Sequence, residues 1–234
     1  MAQDLRRVSE VQRSYLPESQ NRYTDVFMDW TSVPSQYVSG DHLNVFPLTA
    51  DVYGFYILDV SGHGIPAAVK SMQLVQMFAD QSDTSLLFDM ATDEQGLRRV
   101  SKPSQVVSRL NMLFQQTETD LSYFTMIYGV VNTATREVSL CQAGHPSPFL
   151  QRADGSVETL GGGGYPVGLF DEVEYEDIEL TLAPHDALLL YSDGVTEVLS
   201  PALETFGENR LLGSVARHKS FDQRRYLLED IQGD

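Results

Sequence analysis

Apolar residues along this chain recur at two spacings. Short runs rich in Val, Ile, Leu, Tyr and Phe read as strands at residues 25–33, 43–48, 52–58, 123–131, 137–142, 149–151, 173–182 and 187–191. Elsewhere the period lengthens to that of a helix. Leu5, Val8, Val11, Gln12 and Tyr15 share a face within residues 1–16, and Pro17 ends that pattern. Ile65, Ala68, Val69, Met72, Val75 and Ala79 form a second face, and Val106, Val107, Leu110, Leu113 and Phe114 a third, opened near Pro103 by Ser101 or Ser104. Residues 208–218, after Phe206-Gly207, and residues 221–231 read as further helices. Between the helical blocks, residues 81–102 are polar and acidic, with Asp83, Asp89, Asp93 and Glu94, and read as a mobile surface excursion. Strands clustered around helix pairs, with hairpin-like spacing in the second half, predict an α+β fold of mainly antiparallel sheets, undivided by repeat or linker.

The first helix precedes every strand and has little core of its own. It either continues from an upstream domain or packs on a partner copy, or it folds back onto its own domain; the pattern leaves both open.

Composition narrows the class. At 234 residues, 42% hydrophobic and 21% charged, the chain suits one globular domain with a sizeable core. No run approaches membrane-span length, and Asp4, Arg6, Arg7 and Glu10 leave no apolar signal-peptide centre, so a soluble cytoplasmic protein is expected. The single cysteine, Cys141, excludes an intrachain disulfide and a thiolate zinc site; its neighbours Leu140 and Ala143 mark it as core filler. Sixteen Lys and Arg against thirty-three Asp and Glu give a net charge of −17, which argues against a nucleic-acid partner. Solubility accounts for most of that charge, and a hard cation would need only a few of the acids.

Chemistry concentrates where the run Ile57-Leu58-Asp59-Val60-Ser61-Gly62-His63-Gly64-Ile65-Pro66 breaks from strand through a glycine turn into a helix. Asp59 there ends a buried strand and faces an opening, where a carboxylate must be paired, hydrogen-bonded or metal-bound. Gly40-Asp41 and Ser192-Asp193-Gly194 repeat the pattern of an Asp in a turn beside an apolar segment. One such turn is commonplace. Three acids without a matching basic cluster would repel one another at a shared site, a cost that a divalent metal removes. Oxygen donors with no Cys or paired-His set favour Mg²⁺ or Mn²⁺ over zinc. His63 and His145, each after a glycine, could be zinc ligands or acid catalysts, but holding a turn by hydrogen bonds is the preferred reading. No lysine-bearing phosphate loop, nucleophile elbow or dinucleotide fingerprint is present, and the four glycines at 161–164, with no helix signal after them, read as a flexible loop.

Tyr15-Leu16-Pro17, Ser39-Gly40-Asp41, Asp59-Val60-Ser61-Gly62-His63-Gly64, Phe124-Thr125, Ala143-Gly144-His145-Pro146, Pro166-Val167-Gly168-Leu169 and Tyr191-Ser192-Asp193-Gly194-Val195-Thr196-Glu197 follow one another in the order found in a known family. Over about residues 8 to 217 the chain resembles the metal-dependent type 2C-like (PPM) serine/threonine phosphatases, and within them the bacterial SpoIIE-like branch. The resemblance implies a two-layer antiparallel β-sandwich flanked by helices, with a dinuclear Mn²⁺ or Mg²⁺ centre at one end. It implies a linker or regulatory helix over residues 1–17 and a phosphatase domain over residues 18–234. By position, Asp59 resembles the carboxylate that bridges both metals, Asp41 a ligand of one and Asp193 a ligand of the other. The Val60 backbone carbonyl stands where the family uses a main-chain oxygen. The implied reaction is hydrolysis of phosphoserine or phosphothreonine on a partner protein by a metal-activated water, without a covalent phosphoenzyme. The leaving alkoxide takes its proton from His63 or from a water at the metals. The implied substrate is a STAS-type anti-sigma-factor antagonist in a partner-switching pathway, under an upstream sensor or receiver domain, and the N-terminal helix is a candidate homodimer contact.

There are departures from the family pattern. Ser39 replaces a more usual glycine and His42 an aromatic residue. The family's late Asp-Asp-Xaa-Thr strand has no match before Ile231-Gln232-Gly233-Asp234, so the final strand and one metal ligand are expected to be missing and the metals weakly held. Two other readings compete: a pseudophosphatase that grips a regulator without turnover, and an acid-rich scaffold that binds calcium.

Overall fold

Alternation along one strand sets the architecture. The computed structural model describes residues 2–18, 21–23, 26–33, 38–80, 82, 85–92, 98–117, 120–200 and 203–218. In chain order the elements are α1 (Ala2–Arg13), β1 (Asn21–Tyr23), β2 (Val26–Met28), β3 (His42–Pro47), β4 (Val52–Val60) and α2 (Ile65–Ala79). Next come β5 (Phe88–Thr92), β6 (Arg98–Val100), α3 (Pro103–Leu113), β7 (Phe124–Asn132), β8 (Glu137–Ala143), β9 (Phe149–Gln151) and β10 (Val157–Thr159). The described chain closes with β11 (Ile178–Thr181), β12 (Ala187–Leu189), α4 (Asp193–Thr196) and α5 (Glu208–Arg217).

On β4, Tyr56, Leu58 and Val60 join a cluster with Leu74 and Phe78 of α2 and Val106, Val107 and Leu110 of α3. Phe55 and Ile57, one residue out of phase, join a second cluster with Ile127, Val131 and Leu140, against which Met28 of β2 and Leu188 of β12 also pack. A strand apolar on both faces needs cover on both, and β4 lies inside a five-stranded antiparallel sheet of order β11-β8-β7-β4-β3. The helices cover one face and the smaller strands the other, which is the α+β architecture of a large antiparallel sheet with flanking helices. A second sheet, β10-β9-β12, is closed by α5, whose Leu211 and Val215 pack on Phe149 and Tyr191. Tyr56 and Phe78 stack with ring centroids 4.4 Å apart, joining α2 to the sheet. Leu110, fully buried between α3 and the sheet, should cost about 2–5 kcal/mol when replaced by alanine, measured by urea unfolding.

Several expected boundaries shift. β4 continues to Val60, so Asp59 and Val60 are paired strand residues rather than the start of the turn. The segment read as a mobile excursion carries the β5–β6 hairpin, because Leu87 and Phe88 are buried against α3; Asp83, Asp93 and Glu94 lie outside the described residues. Helix α3 is capped by Lys102, not Ser101 or Ser104, with the Lys102 N–H donating to Gln105 Oε1 at 3.0 Å. Ser104 sits in the first turn and donates both its N–H and its hydroxyl to Asp177. The strand expected at 173–182 shortens to β11. The helix expected at 221–231 lies outside the described residues. Among the described residues no helix is long and apolar enough to cross a membrane.

Candidate active site

The register of the large sheet places a polar rung at the end of an apolar face. Across β3, β4 and β7 the face is filled by Val45 opposite Phe55, then by Leu43, Ile57 and Ile127. One step further, Asp59 pairs with Thr125, and Asp41, just before the His42–Leu58 pair, comes opposite Asp59. Apolar side chains stop here and carboxylates begin. The Asp41 and Asp59 carboxyl groups are neighbours on this rung, near enough for each to perturb the other.

Burial first, then the hydrogen bond to Asp41 and the charges of Asp41, Asp193 and Glu197, push the Asp59 carboxyl up to about 8. Asp41 is also raised, mainly by burial and further by the Asp193 charge, while hydrogen bonds from Asp59 and Ser192 act in the opposite direction. Ser192, capping the short α4 after β12, donates its hydroxyl to Asp41 Oδ2 at 3.3 Å. Asp193, the first residue of α4, is exposed and stands off from the inner pair within electrostatic reach. Among the described residues no three His, Cys, Asp or Glu converge tightly enough to form a ready ligand set, and no Lys or Arg forms a salt bridge with Asp41, Asp59 or Asp193. The site is therefore a coupled pair of acids with a third nearby, short of positive charge.

Backbone packing fixes this pair. A Cβ on Gly40 would lie 2.7 Å from the Val60 carbonyl oxygen and 3.3 Å from Ala67 Cβ, so only glycine lets the Asp41 loop close onto the end of β4. That contact seats the Val60 oxygen against Gly40, the residue before Asp41. Gly40→Ala should therefore displace Asp41 and lower activity by about tenfold or more with little loss of global stability, read from kinetics and thermal melts on the same sample. The departure at Ser39 is put to use, since its hydroxyl accepts the Asp41 N–H at 3.1 Å.

The histidines separate. His145 is buried, its Nδ1 2.9 Å from Thr125 Oγ1, and its carbonyl accepts from Gln142 Nε2 at 2.6 Å. Burial pushes its pKa down to about 4, against a smaller pull from the Tyr191 backbone, so it is a neutral brace behind Thr125. That agrees with the turn-holding reading. His63 is exposed on the turn between β4 and α2, where Gly62 and Gly64 take φ of 94° and 75°. Ser61 ties that turn to β7, its N–H donating to Tyr123 O at 2.9 Å and its hydroxyl accepting from Tyr123 N at 3.0 Å. The glycines at 161–164 are neither a phosphate cradle nor loose: Gly163 donates to Gln142 Oε1 at 2.9 Å and accepts from Gly144 N at 2.7 Å. Glu197 was not singled out as a site acid by the sequence; its position four residues after Asp193 on one helical turn was the available signal.

The donor set fits a hard divalent cation. Carboxylates and a main-chain carbonyl without a thiolate suit Mg²⁺ or Mn²⁺, and such ions keep several waters, so a few protein ligands suffice.

The family model of Stage II sporulation protein E (SpoIIE) matches residues 49–233. Phosphoserine phosphatase RsbP of Bacillus subtilis (strain 168) is 32% identical over 163 residues, covering 70% of this chain and 38% of that protein. Phosphoserine phosphatase RsbU of the same organism is 29% identical over 167 residues, covering 71% and 45%. The chain thus spans less than half the length of these curated relatives. Among solved structures, the SiaA-PP2C domain of Pseudomonas aeruginosa superposes with a TM-score of 0.73 at 19% identity, over 99% of this chain and 87% of that one, which shows a shared fold.

Proposed function

This chain belongs to the Stage II sporulation protein E (SpoIIE) family, the SpoIIE-like branch of the PPM phosphatases, and from that premise we propose that it hydrolyses phosphoserine or phosphothreonine on a partner protein with Mn²⁺ or Mg²⁺ as cofactor. The observation that carries this reading is the Asp41–Asp59 pair, two carboxyl groups brought opposite each other at the end of the sheet and short of positive charge. Asp41, Asp59, Asp193 and the Val60 carbonyl would hold the metal. When bound, it supplies an acidified water and neutralises phosphate charge, which lets a protein of net charge −17 accept an anionic substrate.

The chain's own groups do the remaining work. Asp59, fixed by pairing with Thr125 and braced through Thr125 by His145, anchors the site. Ser192 orients Asp41, and Gly40 sets its distance from Val60. His63, exposed on the turn that follows β4, is the candidate to protonate the leaving alkoxide. Because the relatives RsbP and RsbU are phosphoserine phosphatases, a phosphorylated STAS-type anti-sigma-factor antagonist in a cytoplasmic partner-switching pathway is the proposed substrate. Residues 1–17 serve as a regulatory helix under an upstream sensor or receiver domain, residues 18–234 as the phosphatase domain. The exposed Val11 and Tyr15 of α1 offer a homodimer contact.

A pseudophosphatase is the second reading, favoured by the exposure of Asp193 away from the inner pair. Titration with Mn²⁺ during hydrolysis of an aryl phosphate separates the readings. Turnover that rises and saturates with Mn²⁺ supports the enzyme; partner binding without turnover at any metal concentration supports the pseudophosphatase; calcium binding without turnover supports a scaffold.

A further inference from the structure

Among the side chains of α1 that the structure describes, the buried one is polar. On α1, Val11 and Tyr15 are 47% and 37% exposed, whereas Gln12 is 9% exposed. Gln12 reads the main chain of Ser39 in both directions, as a neighbouring strand would: Nε2 donates to Ser39 O at 2.7 Å, and Oε1 accepts from Ser39 N at 3.2 Å. Nε2 also lies 3.3 Å from the hydroxyl of Ser71, which is fully buried on α2. Ser39 in turn supports the Asp41 N–H, and Gly40 between them rests against the Val60 carbonyl. One amide therefore ties α1, α2 and the Asp41 loop together. Beside it a small pocket lined by Arg13, Leu16, Asp41 and His42 leaves room on that side of the loop, where these hydrogen bonds supplement its packing.

We propose that Gln12 is a positioning residue for Asp41: through Ser39 it holds the loop in the place from which Asp41 meets Asp59. The consequence for metal affinity rests on the proposed metal site; the consequence for loop order does not. Amide hydrogen exchange of the full chain, without metal, reads the loop directly at residues 38–42. Gln12→Met keeps the helix and the side-chain length but removes all three hydrogen bonds, and exchange across those residues should quicken about tenfold. Gln12→Glu, which retains the acceptor for Ser39 N–H, should fall between Gln12→Met and the parent. Glu10→Ala, on the exposed side of α1, should change nothing, and circular dichroism checks that each variant is folded. In calorimetry, Mn²⁺ should bind Gln12→Met about tenfold more weakly than the parent. Unchanged exchange in a folded Gln12→Met overturns the proposal, as does faster exchange with undiminished Mn²⁺ affinity. If the parent itself binds no Mn²⁺, the metal reading falls while the exchange result still decides the role of Gln12.

Discussion

Asp59→Asn should lower hydrolysis by at least about 100-fold and leave the fold intact, because an amide matches the carboxylate in shape but supplies no charge to a cation. The same change should have the opposite effect on metal-free stability at alkaline pH. Burial and the neighbouring acids raise the Asp59 carboxyl from an ordinary 3.8 to about 8, so folding disfavours its ionised form. Stability from the protonated group is present at low pH and is lost as pH rises through about 8. Asparagine has no such loss. Metal-free Asp59→Asn should therefore be more stable than the parent at pH 9, the difference closing toward pH 5, as read by urea unfolding at the two pH values. Activity within about tenfold of the parent, or a parent that is the more stable chain at pH 9, would contradict this role for Asp59.

Divalent metal should produce the second large effect. A ligand that binds only the folded chain at a hundredfold excess over its Kd stabilises by about 2.7 kcal/mol. For a chain of this size that corresponds to a rise in Tm of about 5–10 °C. Thermal melts with Mn²⁺ should show that rise, a chelator should reverse it, and Asp59→Asn should abolish it. A parent whose Tm does not respond to Mn²⁺ or Mg²⁺ has no site of the proposed kind at Asp41 and Asp59.

Local pattern made much of this molecule legible. The apolar run at residues 52–58 located β4, but the buried face of α2 was legible only in part: Ala68 and Val75 are buried as the spacing predicts, whereas Ile65 and Val69 are exposed and Leu74 and Phe78 fill the core in their place. The turn at Asp59 and the order of the other motifs located the acids. What stayed hidden depends on contacts between distant residues. Gln12 fell in register with the apolar stripe of its helix, and nothing local shows that its amide meets Ser39, 27 residues away. The β5–β6 hairpin was hidden because its apolar residues stand among acids and polar residues, and charge read along the chain does not register that Leu87 is fully buried. His145 shared its glycine context with His63, yet one is buried behind Thr125 and the other exposed, a difference set by which strand each turn follows. Ser39, a mere departure from a pattern in sequence, became a support for Asp41 once the loop was closed over Gly40.

The most direct measurement is phosphate release from a phosphoserine-bearing STAS-type protein as Mn²⁺ is raised from zero in a chelator-treated sample, with Asp59→Asn alongside. Release that is absent without metal, saturates with Mn²⁺ in the parent and stays absent in Asp59→Asn is the expected result. Release that proceeds at the same rate with chelator present, or in Asp59→Asn, would contradict a metal-dependent phosphatase centred on the Asp41–Asp59 pair.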